Sequence, residues 1–167
     1  EGMTELINTY GYGPLEPNTV LLGELGEVDL AEILFQLTER RRNVIVMPQV
    51  DGPLLANGSE NRTIDIWWRG KGHNASFMLA LAWMIIRSNR FSGDAVKLRM
   101  CHITEEGEKL DDARNYMTKV VENARISAEI VTVPNDENGA FVRISEISSS
   151  SSLVLMGLRQ PAPGESV

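Results

Sequence analysis

Few side chains in this sequence suit catalysis: one cysteine, Cys101, and two histidines, His73 and His102. Nucleophilic catalysis needs a thiol or hydroxyl within reach of a base. Cys101 and His102 are neighbours, but they fall in the run Ala95 to Ile103, which reads as a β-strand. Successive strand residues point to opposite faces, so the two cannot form a dyad. Cys101 is therefore expected to pack as a small apolar side chain. His73 precedes a helix and is expected at the surface or in a cap. A metal centre needs clustered Cys, His, Asp or Glu at ligand spacing, and the cysteine and two distant histidines do not supply it. The acidic pairs Glu105-Glu106 and Asp111-Asp112 read as a solvated helix face. No catalytic residue, metal or cofactor is expected.

Gly70-Lys71-Gly72 is the candidate anion-binding loop. It follows a strand and leads into a helix, where free backbone N–H groups and a lysine can meet an anion. It matches neither a P-loop nor a dinucleotide fingerprint, so a plain turn is the competing reading. Arg40-Arg41-Arg42 closes a helix, where positive charge complements the dipole; contact with an anionic membrane surface or an acidic partner is the alternative. Ser148 to Ser152 reads as a connector that phosphorylation would charge. Asp65 lies mid-strand on the same side as Trp67. A buried carboxylate needs donors, so Asp65 is either at a sheet edge or hydrogen-bonded, and the sequence leaves both open.

The elements that must position these residues alternate. Strands are expected at 19–23, 43–47, 63–68, 95–103, 128–133 and 153–157, each a short apolar run. Helices are expected between them. The first starts at Asp29 with Glu32 three residues on, resembling a capping box, and carries Leu30, Ile33, Leu34 and Leu37 on one face. The second, Ala75 to about Arg87, is apolar nearly all round, which predicts cover on both faces. On the fourth strand Val96, Leu98, Met100 and His102 alternate with Lys97, Arg99 and Cys101, which predicts one less buried face. Thr104 is expected to cap the third helix, with Glu105 and Glu106 at its positive end. A short helix at 140–147 should turn Phe141 and Ile144 inward. Trp67 and Trp68 should face opposite sides of the sheet. The expected core draws on Val20, Leu22, Ile33, Leu37, Ile45, Ile66, Trp67, Leu81, Leu98, Met117, Val131, Leu153 and Leu155.

This rhythm predicts an α/β fold, a mainly parallel sheet of about five or six strands with helices on both faces. The 167 residues suit one domain, placed at 11–160. Residues 1–10 read as the end of an upstream helix or linker and 161–167 as a loose tail. The start, Glu1-Gly2-Met3, reads as a piece cut from a longer chain. Apolar residues make up 43% of the sequence and charged residues 23%, a globular balance. The net charge of −7 argues against nucleic acid as a partner. The longest apolar run, Phe77 to Ile86, is half the roughly 20 residues that cross a bilayer.

Three segments together carry a family resemblance: Gly11-Tyr12-Gly13-Pro14-Leu15-Glu16-Pro17-Asn18-Thr19-Val20-Leu21-Leu22-Gly23, Thr63-Ile64-Asp65-Ile66-Trp67-Trp68, and Ser150-Ser151-Ser152-Leu153-Val154-Leu155-Met156-Gly157-Leu158. In this order they resemble the cytoplasmic C-terminal domain of the cation-chloride cotransporters, the sodium-potassium-chloride cotransporter family. The T-I-D-x-W-W segment is the most specific of the three.

The resemblance implies a universal-stress-protein-like sandwich that follows a membrane transport domain in the same chain. It implies a domain of two related halves, of which this chain resembles the second, serving dimerisation and regulation. It places the domain at the cytoplasmic face of the membrane, near the inner surface and the intracellular loops, and assigns it no ion-binding residue. Eukaryotic members carry a long insertion between the second and third strands. Here Pro48 to about Asn61 spans that connection, which resembles a prokaryotic member.

The same fold resemblance raises a nucleotide-binding alternative. Universal stress proteins that bind ATP place G-x-x-G and then G-[ST] after a late strand. Gly157-Leu158-Arg159-Gln160 has only the first glycine, and Gly164-Glu165-Ser166 is too close and the wrong dipeptide. Those proteins also have an Asp after the first strand, where this chain has Gly23-Glu24. A small-molecule enzyme of the parallel α/β class is a third reading, without an acid, base or nucleophile to carry it.

Overall fold

The computed structural model describes residues 18–23, 30–47, 61–69, 74–88, 95–105, 107–137 and 139–158. They belong to two compact units, one formed by 1–54 with 159–167 and the other by 55–158. The segments read as an upstream helix end (1–10) and a tail (161–167) lie outside the described residues, as do Asp29 and the connection 48–60.

In the first unit β1 (Thr19–Leu22) and β2 (Asn43–Val46) pair in parallel, Thr19 opposite Asn43 and Leu22 opposite Val46. Helix α1 (Leu30–Glu39) joins them and buries Ala31, Ile33, Leu34 and Leu37. Ile33 and Leu37 close a small core with Leu22, flanked by Val20, Leu30, Val44 and Val46. The helix stops where Arg41 takes a left-handed φ of 56°. Its N–H bonds Thr38 O at 2.8 Å and the Arg42 N–H bonds Leu37 O at 3.0 Å, a paired ending that satisfies the last carbonyls.

The second unit runs β3 (Asn61–Trp67), α2 (Asn74–Ile86), β4 (Ala95–Ile103), α3 (Leu110–Ala124), β5 (Glu129–Val133), α4 (Ala140–Ile147) and β6 (Leu153–Met156). Its four strands lie in the order β5-β4-β3-β6, all parallel. The fold is thus α/β, and among the described residues six strands, paired in parallel, are shared between a two-stranded and a four-stranded sheet.

Right-handed crossovers explain the layering. Stepping from β3 to β4 to β5 in one direction puts α2 and α3 on the same face. There Ile64, Ile66, Leu98 and Met100 meet Met78 and Ala82 of α2 and Met117 and Val121 of α3. The return from β5 to β6 runs the other way, and the C-terminal end of α4 reaches the opposite face, where Ser148 bonds Trp67. Trp68 packs with the first face and Trp67 points to the second, as strand alternation requires.

Several details differ from the sequence reading. Helix α3 begins at Leu110, not after Thr104. Gly107 at a φ of +82° breaks the chain direction, and the Thr104 N–H pairs with Val133 O at 2.9 Å, prolonging the strand ladder. Asp111 and Asp112, not Glu105 and Glu106, occupy the first turn. Helix α2 is not covered all round. It buries Met78 and Ala82 and leaves Trp83 and Met84 about half exposed, with the Arg87 guanidinium 4.5 Å over the Trp83 ring. Phe141 is 80% exposed rather than inward, because α4 meets the sheet by its last turn. Arg99 and Cys101 on one side of β4 are covered, and Lys97 on the same side is open, where it pairs with Glu129. Of the expected core, Val20, Ile45, Leu81, Val131, Leu153 and Leu155 are half-buried, and the other seven are buried.

Candidate functional site

Two polar groupings are built into the four-stranded sheet. The first centres on Asp65, fully buried in the middle of β3. The register sets Asp65 opposite Arg99 on β4. Arg99 Nε donates to Oδ1 at 2.7 Å and Nη2 to Oδ2 at 2.6 Å, a two-pronged pair. The hydroxyls of Ser148 and Ser151 each donate to Oδ2 at 2.6 Å. Arg99 Nη2 also donates to Ile147 O at 3.1 Å and Ser151 Oγ at 2.9 Å. Trp67 Nε1 closes the set on Ser148 Oγ at 2.9 Å.

Asp65 is therefore a hydrogen-bonded central residue, and the serine run is its clamp as well as a connector. Burial pushes the Asp65 carboxyl up, but the hydrogen bonds from Arg99, Ser148 and Ser151 outweigh it and hold the carboxyl below its usual range. Arg99 is shifted the other way, chiefly by its bond to Asp65. Both carboxylate oxygens are taken by protein donors, so the group cannot act as a base toward a substrate. The grouping is structural: it fixes α4, the serine run and β6 against β3.

Cys101 lies two residues beyond Arg99 on the same face and is fully buried. Burial, reinforced by the negative charge of Asp65, pushes its thiol up to about 12. Thiolate is the reactive form. Native protein near pH 8 should therefore resist alkylation by iodoacetamide, and urea-unfolded protein should take one label per chain. Mass spectrometry showing rapid native labelling would contradict this.

The second grouping sits at the C-terminal end of β4. His102 is 5% exposed. Its Nδ1 is 2.8 Å from Trp68 O, and its Nε2 is 3.0 Å from Glu108 Oε2. The same Glu108 oxygen accepts the Glu105 N–H at 2.9 Å. The bond from His102, then that from Glu105, holds the Glu108 carboxyl below its usual range. As the strand alternation predicts, His102 points away from Cys101.

The candidate anion residues Gly70, Lys71 and Gly72, with His73, lie outside the described residues. The segments on either side are tied down. Trp68 N–H bonds Cys101 O at 2.7 Å, and Asn74 Nδ2 donates to Leu158 O at 2.8 Å. A Cβ on Gly157 would lie 3.5 Å from Asn74, ordinary contact distance, so the start of α2 sits directly against the end of β6. Arg40 and Arg41 are exposed and Arg42 is half-buried at the end of α1.

Among the described residues no three His, Cys, Asp or Glu side chains gather as metal ligands. No helix among them is long and apolar enough to cross a membrane. Comparison with models of known protein families and with curated proteins gave no match.

Sequence reasoning missed Arg99, Ser148, Ser151 and Glu108 as partners. A signal existed for Arg99, a cation at the centre of a mostly apolar strand, on the same face as Lys97. None existed for Ser148 and Ser151 within a run of five alike residues.

Proposed function

We propose that this chain is a non-catalytic regulatory and dimerisation domain of a membrane cation-chloride cotransporter, held at the cytoplasmic face, with ions carried by a membrane transport domain of the same chain. The supporting observation is the bonding between two of the three segments that carry the resemblance. Asp65 of T-I-D-x-W-W accepts a hydrogen bond from Ser151 of the third segment and another from Ser148 just before that segment. These two segments therefore depend on each other, which gives a physical reason for them to occur together. A homodimer and the transport domain are the partners of this reading.

Fractionation of the native, full-length gene product tests it, with an antibody raised to this domain. The expected result is a carbonate-resistant membrane band much larger than 18.5 kDa. A carbonate-soluble band near that mass would overturn the reading.

A second reading, a nucleotide-binding domain of universal-stress type, is favoured by one observation. The strand order reverses between β3 and β6, and parallel α/β sheets bind ligands at the carboxyl ends of strands where the order reverses. Calorimetry with ATP, ADP and AMP separates the two readings: saturable heat at millimolar nucleotide favours this one, and its absence removes it.

A further inference from the structure

We propose that His102 and Glu108 form a pH-operated latch on the turn between β4 and α3. The inference stands on local geometry and does not depend on the transporter reading.

Both ring nitrogens of His102 face oxygen atoms that only accept. Trp68 O, at 2.8 Å from Nδ1, is a backbone carbonyl. Glu108 Oε2, at 3.0 Å from Nε2, belongs to an ionised carboxylate. An imidazolium donates to both. A neutral ring has one N–H, so one contact must turn from attraction to repulsion. The two partners differ in how freely they can leave. Trp68 directly follows the central strand β3, and its N–H is bonded to Cys101 O. Glu108 is about 30% exposed, on a turn that contains Gly107 in a left-handed conformation. The ring therefore keeps its proton on Nδ1, and Glu108 swings away.

Glu108 also accepts the Glu105 N–H. Its departure frees the Glu105 N–H, while the backbone bond from the Glu108 N–H to Glu105 O, at 3.1 Å, stays in place. Among the described residues no charged neighbour offers a substitute. From β3 the ring meets the Trp68 carbonyl, from β5 its pairing partner is the uncharged Thr132, and from α3 the side chains packed on this face are Met117 and Val121. Glu105 and Lys109, flanking the turn, are exposed, and among the described residues Glu108 is the one titratable group bonded to the ring. The latch is closed while both ring nitrogens carry protons and open once Nε2 has lost its proton.

The test uses the full chain labelled with 15N. Long-range correlation spectra report the protonation of each His102 ring nitrogen, and hydrogen exchange reports the opening of the Glu105 amide. Across the loss of the Nε2 proton, the protection of the Glu105 amide, corrected for the intrinsic pH dependence of exchange, should fall roughly tenfold, the worth of one charge-assisted hydrogen bond. Glu108→Gln is a surface change that keeps the fold. Its amide can donate to a neutral Nε2 while its oxygen still accepts the Glu105 N–H, so protection should not step with pH. Constant protection in the native protein across the ring's titration, or the same step in Glu108→Gln, would overturn the latch.

Discussion

Asp65→Ala should cost about 3–5 kcal/mol, the range seen when one partner of a buried ion pair is removed. Three losses coincide. Arg99, with its side chain 18% exposed, is left as an uncompensated charge beneath the surface. The hydroxyls of Ser148 and Ser151 lose their acceptor. The space of a fully buried side chain is emptied. Urea unfolding followed by tryptophan fluorescence measures the cost. Asp65→Asn separates charge from shape: it fills the same space but returns only a neutral acceptor to the guanidinium, so most of the cost should remain. A loss below about 1 kcal/mol in both variants would mean that the grouping does not hold the sheet together. The pH dependence follows from the direction of the shift. The folded-state pKa of Asp65 lies below its unfolded value. Its contribution is therefore fully present above the ordinary carboxylate range and fades as pH falls through the folded value. Asp65→Asn should flatten the acid limb of the stability curve.

Trp67→Ala is expected to be comparably severe, about 3–5 kcal/mol, because a large side chain 6% exposed leaves a cavity that the sheet cannot close. Its indole also donates to Ser148, so the variant strips a donor from the serine that clamps Asp65. Trp67→Phe isolates that part. It keeps most of the apolar volume, and the further loss assigned to the hydrogen bond should be about 1 kcal/mol. The double variant with Ser148→Ala should then cost less than the sum of the single changes, since both remove the same bond. Strict additivity would show that the indole N–H and the Ser148 hydroxyl act independently.

The elements themselves were legible. Strand boundaries agree to within about two residues, and α1, α2 and α4 lie where apolar periodicity puts them, because each is a local pattern in the chain. The start of α3 was misread because Thr104 with Glu105 and Glu106 has the chemistry of a helix start. Gly107 and the apolar stripe that begins only at Leu110 carry the correction. Phe141 was misread for a different reason. A three-residue spacing with Ile144 defines a face, but not which turn of the helix reaches the sheet. The Asp65 grouping was only half legible. Alternation puts Asp65 beside Trp67, whereas its partners depend on register across strands and on serines 83 and 86 residues further along the chain, which no local pattern encodes. The left-handed arginines 41 and 125 were not foreseen either, since glycine is the residue that usually marks such helix endings.

The placement of β6 has a consequence for how this unit is made. Strand β3 is the first strand of the unit to leave the ribosome and β6 the last, yet they are neighbours in the finished sheet. Until β6 has emerged, β3 is an open edge with unpaired backbone groups, and its carboxylate lacks both serine donors until residues 148 and 151 have left the ribosome. Contacts of such long sequence separation are the slow ones in folding, and open apolar edges invite pairing with other chains. The nascent unit thus has a waiting period, in which β3, β4 and β5 can associate while Asp65 holds Arg99 alone. It ends only when the final strand completes the sheet.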